Sequence, residues 1–462
     1  MADPLWTSAD IARATGGAAG GGFSATGVSI DTRSLEPGDL FVALAGVRDG
    51  HEFVAQAMAK GAAGALVSQD VDAPFVKVGD TLAALERLGV AARDRVSGAK
   101  RGAVTGSVGK TSVTQAIMAG LSLAGPAHGS VKSYNNHIGV PLTLARMPAA
   151  TQRAVFEIGM NHADEIRPLA RFVRPQAVVV TTVGPVHTEN FPDGEAGVAR
   201  AKAEVFEGLE PGGVAVLNAD NKWFELLKGE ALKAGAVVRT FGTGEDCDAR
   251  LIDFHVPGGH AVVQARLHGK ALDFPILQTG FHWGLNSMAV LLMLEALGVD
   301  LDRSLAALGS FEPLAGRGAE SAVAVKGGTF TLIDESYNAN PISMASAIRT
   351  LGARAASGRR IVALTDMLEL GPEAEAFHAG LAGPLDTASI DLVFCAGPLM
   401  KSLWDALPPT RRGGYAESAA ALAPQLAQAV EAGDVVMVKG SNGSKAGLVA
   451  QALLAVGSRE AG

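Results

Sequence analysis

An α/β fold in three domains is what this sequence predicts, and three observations carry the prediction. From about residue 99 onward, apolar runs of strand length alternate with stretches of helical spacing. The chain has 462 residues, and domains of roughly 150 residues each would make three. A Pro/Gly-rich break, "FEPLAGRGAES", separates two such alternating series. Hydrophobic residues at 48% and charged ones at 19% supply several buried cores. The boundaries fall at 1–98, 99–314 and 315–462.

The first unit is small and α/β. "GVSIDTRSLEPGDLFVAL" gives two strand-like runs about a turn, "GHEFVAQAMAKGA" a helix, and "AGALVS" a strand. In the second unit the strands are "GAVTG", "AVFEIGM", "AVVVTTVG" and "GGVAVLNAD", each followed by a helix or a polar loop, which is the grammar of a mostly parallel sheet. Between Ala236 and Pro275 short alternating segments read as an antiparallel annex, and "GFHWGLNSMAVLLMLEALG" returns to helix. The third unit repeats the parallel grammar with "TFTLIDES", "RIVALTD", "DLVFCAG" and "DVVMVKGS".

Chemistry concentrates just past these strands, where ligands of such sheets bind. In "GAVTGSVGKTSVTQAIMAG" the residues Gly106, Ser107, Val108, Gly109, Lys110, Thr111 and Ser112 lie between a strand and a helix. Small residues there let backbone N–H groups converge on an anion at the positive helix end. Lys110 would meet outer phosphates and the Thr111 hydroxyl a Mg²⁺ ion. The longer P-loop pattern wants a glycine where Val104 stands, so the match is partial, and a glycine-rich turn with an exposed lysine is the plainer alternative.

Glu157, closing an apolar strand, is either a ligand of that cation or a carboxylate in a turn. His187 follows the next strand as a ligand or a polar loop residue, and Lys202 lies on the helix beyond it, where surface exposure is the default. Asn286 recognises a base edge or bonds locally, and Arg317, between two glycines at the break, either reaches phosphate or is solvated. "LIDESYNANPISMASAI" gathers Asp334, Glu335, Ser336, Tyr337, Asn338 and Asn340 after one strand. That is more hydrogen-bonding side chains than turn chemistry requires, and Asp366, Glu369, Lys439 and Ser441 add to the same rim.

Composition narrows the class further. A net charge of −8 with no Lys/Arg run argues against nucleic-acid or anionic-membrane partners and for a small molecule. No basic leader precedes an apolar stretch, and the longest apolar segments are too short to span a bilayer. Cys247 and Cys395 cannot make a disulfide framework, and Cys395 in "DLVFCAG" reads as a buried thiol, so a reducing cytoplasm is expected.

These residues together resemble one family, the Mur ligases, ATP-dependent enzymes that form amide bonds in peptidoglycan synthesis. The resemblance spans nearly the whole chain and rests on "SIDTRSLEPGDLFVALAGVRDGHEFVAQAMAKGA", "SYNNHIGVPLTL", "EIGMNHADEI", "DESYNANPISMASAI" and "TDMLELG". It implies a UDP-sugar-binding first domain, a central P-loop ATPase-like domain and a Rossmann-like C-terminal domain that binds ATP and the incoming acceptor. It also implies the branch that joins D-alanyl-D-alanine to UDP-N-acetylmuramoyl-tripeptide through an acyl phosphate, in a cytoplasmic monomer that binds neither nucleic acid nor membrane.

The short glycine loop is usual in this family, so Val104 is no objection. The family's pattern makes Lys110, Glu157, His187, Lys202 and Arg317 catalytic, and places Mg²⁺ on Thr111, Glu157 and His187 with Lys202 carrying an N6-carboxylysine. It sets Asn286, Arg317 and Asp334 on ATP, Ser29, Asp31 and Arg33 on the uridine side, and Asn135 and Asn136 on the substrate. Tyr337, Asn338 and Asn340 fall near the dipeptide. Ile158 and Thr365 stand where "EMG" and "GDMLELG" are usual, and neither departure removes a catalytic group. Two rivals remain: a sister ligase adding a single amino acid, and a nucleotide-gated P-loop binding protein.

Overall fold

The computed structural model describes residues 4–46, 48–131, 133–257 and 260–460. Five short strands form the first sheet, in the order Ala18–Ala19, Phe75–Lys77, Gly64–Val67, Asp39–Val42, Gly27–Ser29. Gly27–Ser29 and Asp39–Val42 pair in parallel, so the segment between them is a return loop and not the tight turn of a hairpin. The Thr81–Arg95 helix then leads toward the second sheet. Asp80 starts it by accepting from the N–H groups of Leu82 and Ala83 at 2.8 and 3.0 Å, two donors that no helix can satisfy internally.

Among the described residues the second sheet has nine strands, and the Lys100–Thr105 strand lies between Arg153–Glu157 and Ala177–Val180. All three run parallel. On one side of Lys100–Thr105 the chain lays down the edge strand Ala127–Gly129 and then inserts Arg153–Glu157 between the two, before it crosses to the other side. The carboxyl end of Lys100–Thr105 is the topological switch point, where a crevice opens. Buried Val113, Ile117 and Leu121 hold the Lys110–Leu123 helix against the sheet, and His282–Ala296 packs alongside with Met288 to Leu294 all buried. Truncating Ile117 to Ala in so closed a layer would cost about 2–5 kcal/mol.

The antiparallel annex begins later than its sequence suggests. Val237–Gly242 pairs in parallel with Val214–Asn218, because the Phe224–Lys233 helix between them makes the crossover a parallel pair needs. Only Ala249–His255, Ala261–Leu267 and Lys270–Ile276 form the antiparallel edge.

The third sheet runs Ala319–Val325, Gly328–Glu335, Val435–Lys439, Arg360–Thr365, Leu392–Ala396, Arg412–Ala416. Its four expected strands are parallel neighbours. Cys395 is buried within it, and both cysteines are free. No described helix is long and apolar enough to cross a membrane.

Candidate functional site

The loop after Lys100–Thr105 is shaped by two glycines with positive φ, Gly106 at 145° and Gly109 at 86°. A Cβ on Gly106 would lie 2.0 Å from Thr181 Oγ1, so only glycine fits there. Ser107 Oγ donates to Gly184 O at 3.2 Å, and Thr181 Oγ1 donates to Val108 O at 2.5 Å, which pins the loop to the neighbouring strand end. Lys110 Nζ folds back onto Gly106 O at 2.7 Å. Burial lowers the pKa of this ammonium, Glu157 nearby opposes that, and Arg317 adds to it.

Glu157 is 1% exposed at the end of the next strand. Its Oε1 accepts from Asn135 Nδ2 at 2.6 Å, while Oε2 is buried with no hydrogen-bond partner among the described residues. A buried carboxyl oxygen left so is costly unless a ligand completes it. His187 follows the Ala177–Val180 strand in the left-handed region, with φ 60°, a conformation that non-glycine residues hold only when the surroundings impose it. Glu369 Oε2 comes within 2.8 Å of its Nδ1 from the third domain, yet out of hydrogen-bonding alignment. Burial first, then Lys110 and Lys202, push the imidazole pKa down to about 4, which leaves a neutral ring.

Lys202 is 2% exposed and makes no hydrogen bond or ion pair with a described residue. Burial, reinforced by Lys110, holds its pKa well below that of an ordinary lysine. The surface lysine expected of a helix by default is thus a buried amine.

The third domain forms the opposite wall. Arg317 Nη2 donates to Thr111 Oγ1 at 3.1 Å, and its guanidinium lies 4.0 Å from the centre of the Tyr337 ring. Tyr337 hydrogen-bonds through its hydroxyl to Ser133 of the second domain. Arg354 closes the junction with a two-pronged ion pair to Glu320, while Thr279 Oγ1 donates to Glu320 at 2.7 Å. Between the walls is a cleft of about 1770 Å³, enough for several small molecules together.

Many of the residues singled out by sequence line this cleft: Ser107 to Ser112, Asn135, Glu157, His187, Asn286, Arg317, Tyr337, Asn338 and Asn340. A Cβ on Gly109 would sit 3.5 Å from Asn286 Nδ2, so that amide borders the glycine loop. Lys202 lies behind the wall and is felt there through its charge. Ser29, Asp31 and Arg33 are outside the cleft, with Arg33 bound to Asp31 and Ser29 Oγ donating to Asp31 O at 3.1 Å. Asn136 serves a turn, accepting from the N–H of Gly139 at 2.9 Å, and Asp334 accepts from the N–H of Ser336 at 3.0 Å off the cleft lining.

Asp366 faces another way, turning into its own domain to accept from the N–H of Met400 at 2.9 Å. Asn340 borders the cleft, but its Oδ1 caps the Pro341–Ala353 helix through the N–H of Ser343 at 2.9 Å. Sequence reasoning missed Ser133, whose short polar side chain carries no pattern of its own, and it missed the bond from Asn135 to Glu157. The only signal for the latter was an asparagine pair ahead of an apolar helix.

Three family models match: "Mur ligase family, catalytic domain" over residues 24–96, "Mur ligase middle domain" over 104–294, and "Mur ligase, glutamate ligase domain" over 322–442. The UDP-N-acetylmuramoyl-tripeptide–D-alanyl-D-alanine ligase of Escherichia coli is 36% identical over 80% of this chain and 81% of its own length. Its Bacillus subtilis counterpart is 33% identical over 91% of both. A crystal structure of MurF from Acinetobacter baumannii superposes with a TM-score of 0.85 at 26% identity, covering 97% of this chain and 99% of that one.

Proposed function

This chain belongs to the Mur ligase family, and we propose that it joins D-alanyl-D-alanine to UDP-N-acetylmuramoyl-tripeptide while converting ATP to ADP and phosphate. One observation carries the reading from geometry. The carboxyl ends of parallel strands from two separate sheets border one cleft, with a phosphate loop on one wall and Arg317 on the other. A carboxylate is a poor electrophile, and activating it by phosphoryl transfer requires nucleotide, acid and amine to meet away from water.

Lys110 releases Gly106 O to pair with the outer phosphates, and Arg317, already on Thr111, balances charge on the transferring group. The tripeptide carboxylate oxygen attacks the γ-phosphorus and ADP leaves. The dipeptide amine then attacks the acyl carbon, loses its proton, and expels phosphate. In this reading residues 1–98 hold the UDP-sugar through Ser29, Asp31 and Arg33, residues 99–314 hold ATP, and residues 315–462 bring Asn338, Asn340 and the dipeptide. Asn286 and Asp334 are assigned to ATP, and Asn135 and Asn136 to the tripeptide substrate.

Mg²⁺ fits the donor set. Among the described residues no three of His, Cys, Asp and Glu converge into a protein cage. This ion, however, usually keeps waters and takes one or two carboxylates plus phosphate oxygens. The partnerless Glu157 Oε2, a neutral His187 and the Thr111 hydroxyl suit it. When bound it neutralises phosphate charge as the new bond forms. Lys202, whose charged form burial disfavours, is suited to add CO₂ through its neutral amine, giving an N6-carboxylysine and releasing a proton, so that a buried basic group would become an anion.

A water-soluble, nucleotide-linked substrate favours a cytoplasmic enzyme. Mass spectrometry of a reaction with ATP, Mg²⁺, the tripeptide substrate and D-alanyl-D-alanine tests the whole reading. The pentapeptide product is expected only with all components. Ligation of a single amino acid in its place would assign the chain to a sister activity, and ATP hydrolysis indifferent to both substrates would make it a nucleotide-gated binder.

A further inference from the structure

Tyr337 is expected from sequence at the acceptor dipeptide, yet one face of its ring and its hydroxyl are already engaged by protein. Its ring face carries the Arg317 guanidinium at 4.0 Å, and its hydroxyl bonds Ser133 across the domain boundary. The backbone builds this arrangement. Tyr337 N–H donates to Gly316 O at 3.0 Å, Arg317 N–H donates to Leu314 O at 2.9 Å, and Gly318 N–H donates to Asp334 O at 2.8 Å. Gly316 has φ 71°, and a Cβ there would come within 3.0 Å of Tyr337 Cβ. The arginine loop is therefore folded tightly onto the tyrosine.

We propose that Tyr337 is a positioning residue: its ring is the shelf that aims Arg317 at Thr111 and the phosphate loop, and its hydroxyl latches that shelf to Ser133. An unsupported arginine samples many rotamers, whereas one stacked on an aromatic face and bonded to Thr111 has its direction set before the nucleotide arrives. The latch joins the third domain to the 130s loop of the second, so the shelf is complete only when the two walls meet. This inference rests on Arg317 serving the nucleotide phosphates, as assigned above, and it moves Tyr337 from acceptor binding to nucleotide alignment.

The test uses Tyr337→Phe, Tyr337→Leu, Ser133→Ala and the Phe/Ala double variant in the full chain. Affinity for a non-hydrolysable ATP analogue is measured by calorimetry without either other substrate, so the result stands whatever acceptor the enzyme uses. Leu, which removes the shelf, is expected to weaken that affinity about tenfold, and Phe, which keeps it, less than about twofold. In steady state Phe and Ser133→Ala are each expected to lower kcat about fivefold with no further loss when combined. If the Leu variant fails to fold, Arg317→Lys replaces it, since lysine keeps the charge and loses the stacked plane. Equal nucleotide affinity for Leu, or for Arg317→Lys if it stands in, and wild type would overturn the proposal. A defect confined to the KM for the dipeptide would overturn it too.

Discussion

Replacing Lys202 by Met separates stability from function at a single atom. The side chain is 2% exposed, and no hydrogen bond or ion pair with a described residue is lost. Met is unbranched and close in volume, and such swaps in a packed layer usually cost less than about 1.5 kcal/mol. Against that cost stands relief of the desolvation that depresses the amine, together with its repulsion by Lys110. That relief works against the cost, so the net loss should stay below about 1.5 kcal/mol and the midpoint should fall by no more than about 4 °C. Turnover should nevertheless fall by at least about 100-fold, because an ionisable group set behind the phosphate-binding wall has gone.

The pH dependence adds a signature. With a folded pKa well below 10.5, the unfolded chain holds the extra proton throughout the interval between that depressed value and 10.5. Stability of the wild type therefore rises with pH across that interval, and the Met variant lacks this contribution. Thermal unfolding in CO₂-free buffer from pH 7 to 9, paired with phosphate release, reads both effects. Short carboxylic acids should restore activity to Lys202→Ala, which leaves a cavity, and not to the filled Met variant. A Met midpoint lowered by about 10 °C would mean that the amine is paired in the fold, and wild-type turnover would mean it has no part in the reaction; either result refutes the reasoning.

Three further outcomes are expected. Lys110→Met should abolish ADP formation while the UDP-linked substrate still binds, as measured by calorimetry; loss of that binding with turnover intact would contradict the division of labour. Gly106→Ala should cost about 1–3 kcal/mol in unfolding and remove nucleotide affinity, since its φ of 145° and a Cβ 2.0 Å from Thr181 Oγ1 leave the loop no room; unchanged affinity for ADP would show that the loop relaxes. Acid should destabilise the protein below about pH 6.5: burial lowers the pKa values of His128, His282 and His378, and that of His187 falls to about 4. Their unfolded forms take up protons that the folded forms resist, so urea midpoints should decline as pH falls toward 4, and a flat profile would contradict these assignments.

What the sequence made legible was local. Apolar runs ending in glycine and polar residues marked the strands, and the order strand, glycine loop, helix marked the phosphate cradle, because those signals depend on neighbours in the chain. Partners supplied by another domain left no such trace. Nothing near Glu369 foretells its approach to His187, and nothing near Tyr337 foretells Ser133. Asp366 looked like a rim carboxylate for the same reason: its real partner, the N–H of Met400, enters from the following strand-to-helix connection. The Arg412–Ala416 edge strand was unreadable because Gly413 and Gly414 erase its β-propensity. Val237–Gly242 alternates like an antiparallel strand because only Phe241 and Gly242 pair with the strand beyond it, leaving Val237 and Arg239 exposed, and its direction is set by the helix before it.

Oxygen tracing tests the central claim most directly. With ¹⁸O in the terminal carboxylate of the UDP-N-acetylmuramoyl-tripeptide, attack on the γ-phosphorus and later displacement by the dipeptide amine must carry one labelled oxygen into the released phosphate. The account predicts one ¹⁸O per phosphate, seen only when D-alanyl-D-alanine is present and matched by pentapeptide. Unlabelled phosphate formed alongside pentapeptide would contradict it, since the carboxylate would then have been activated without passing through an acyl phosphate in this cleft.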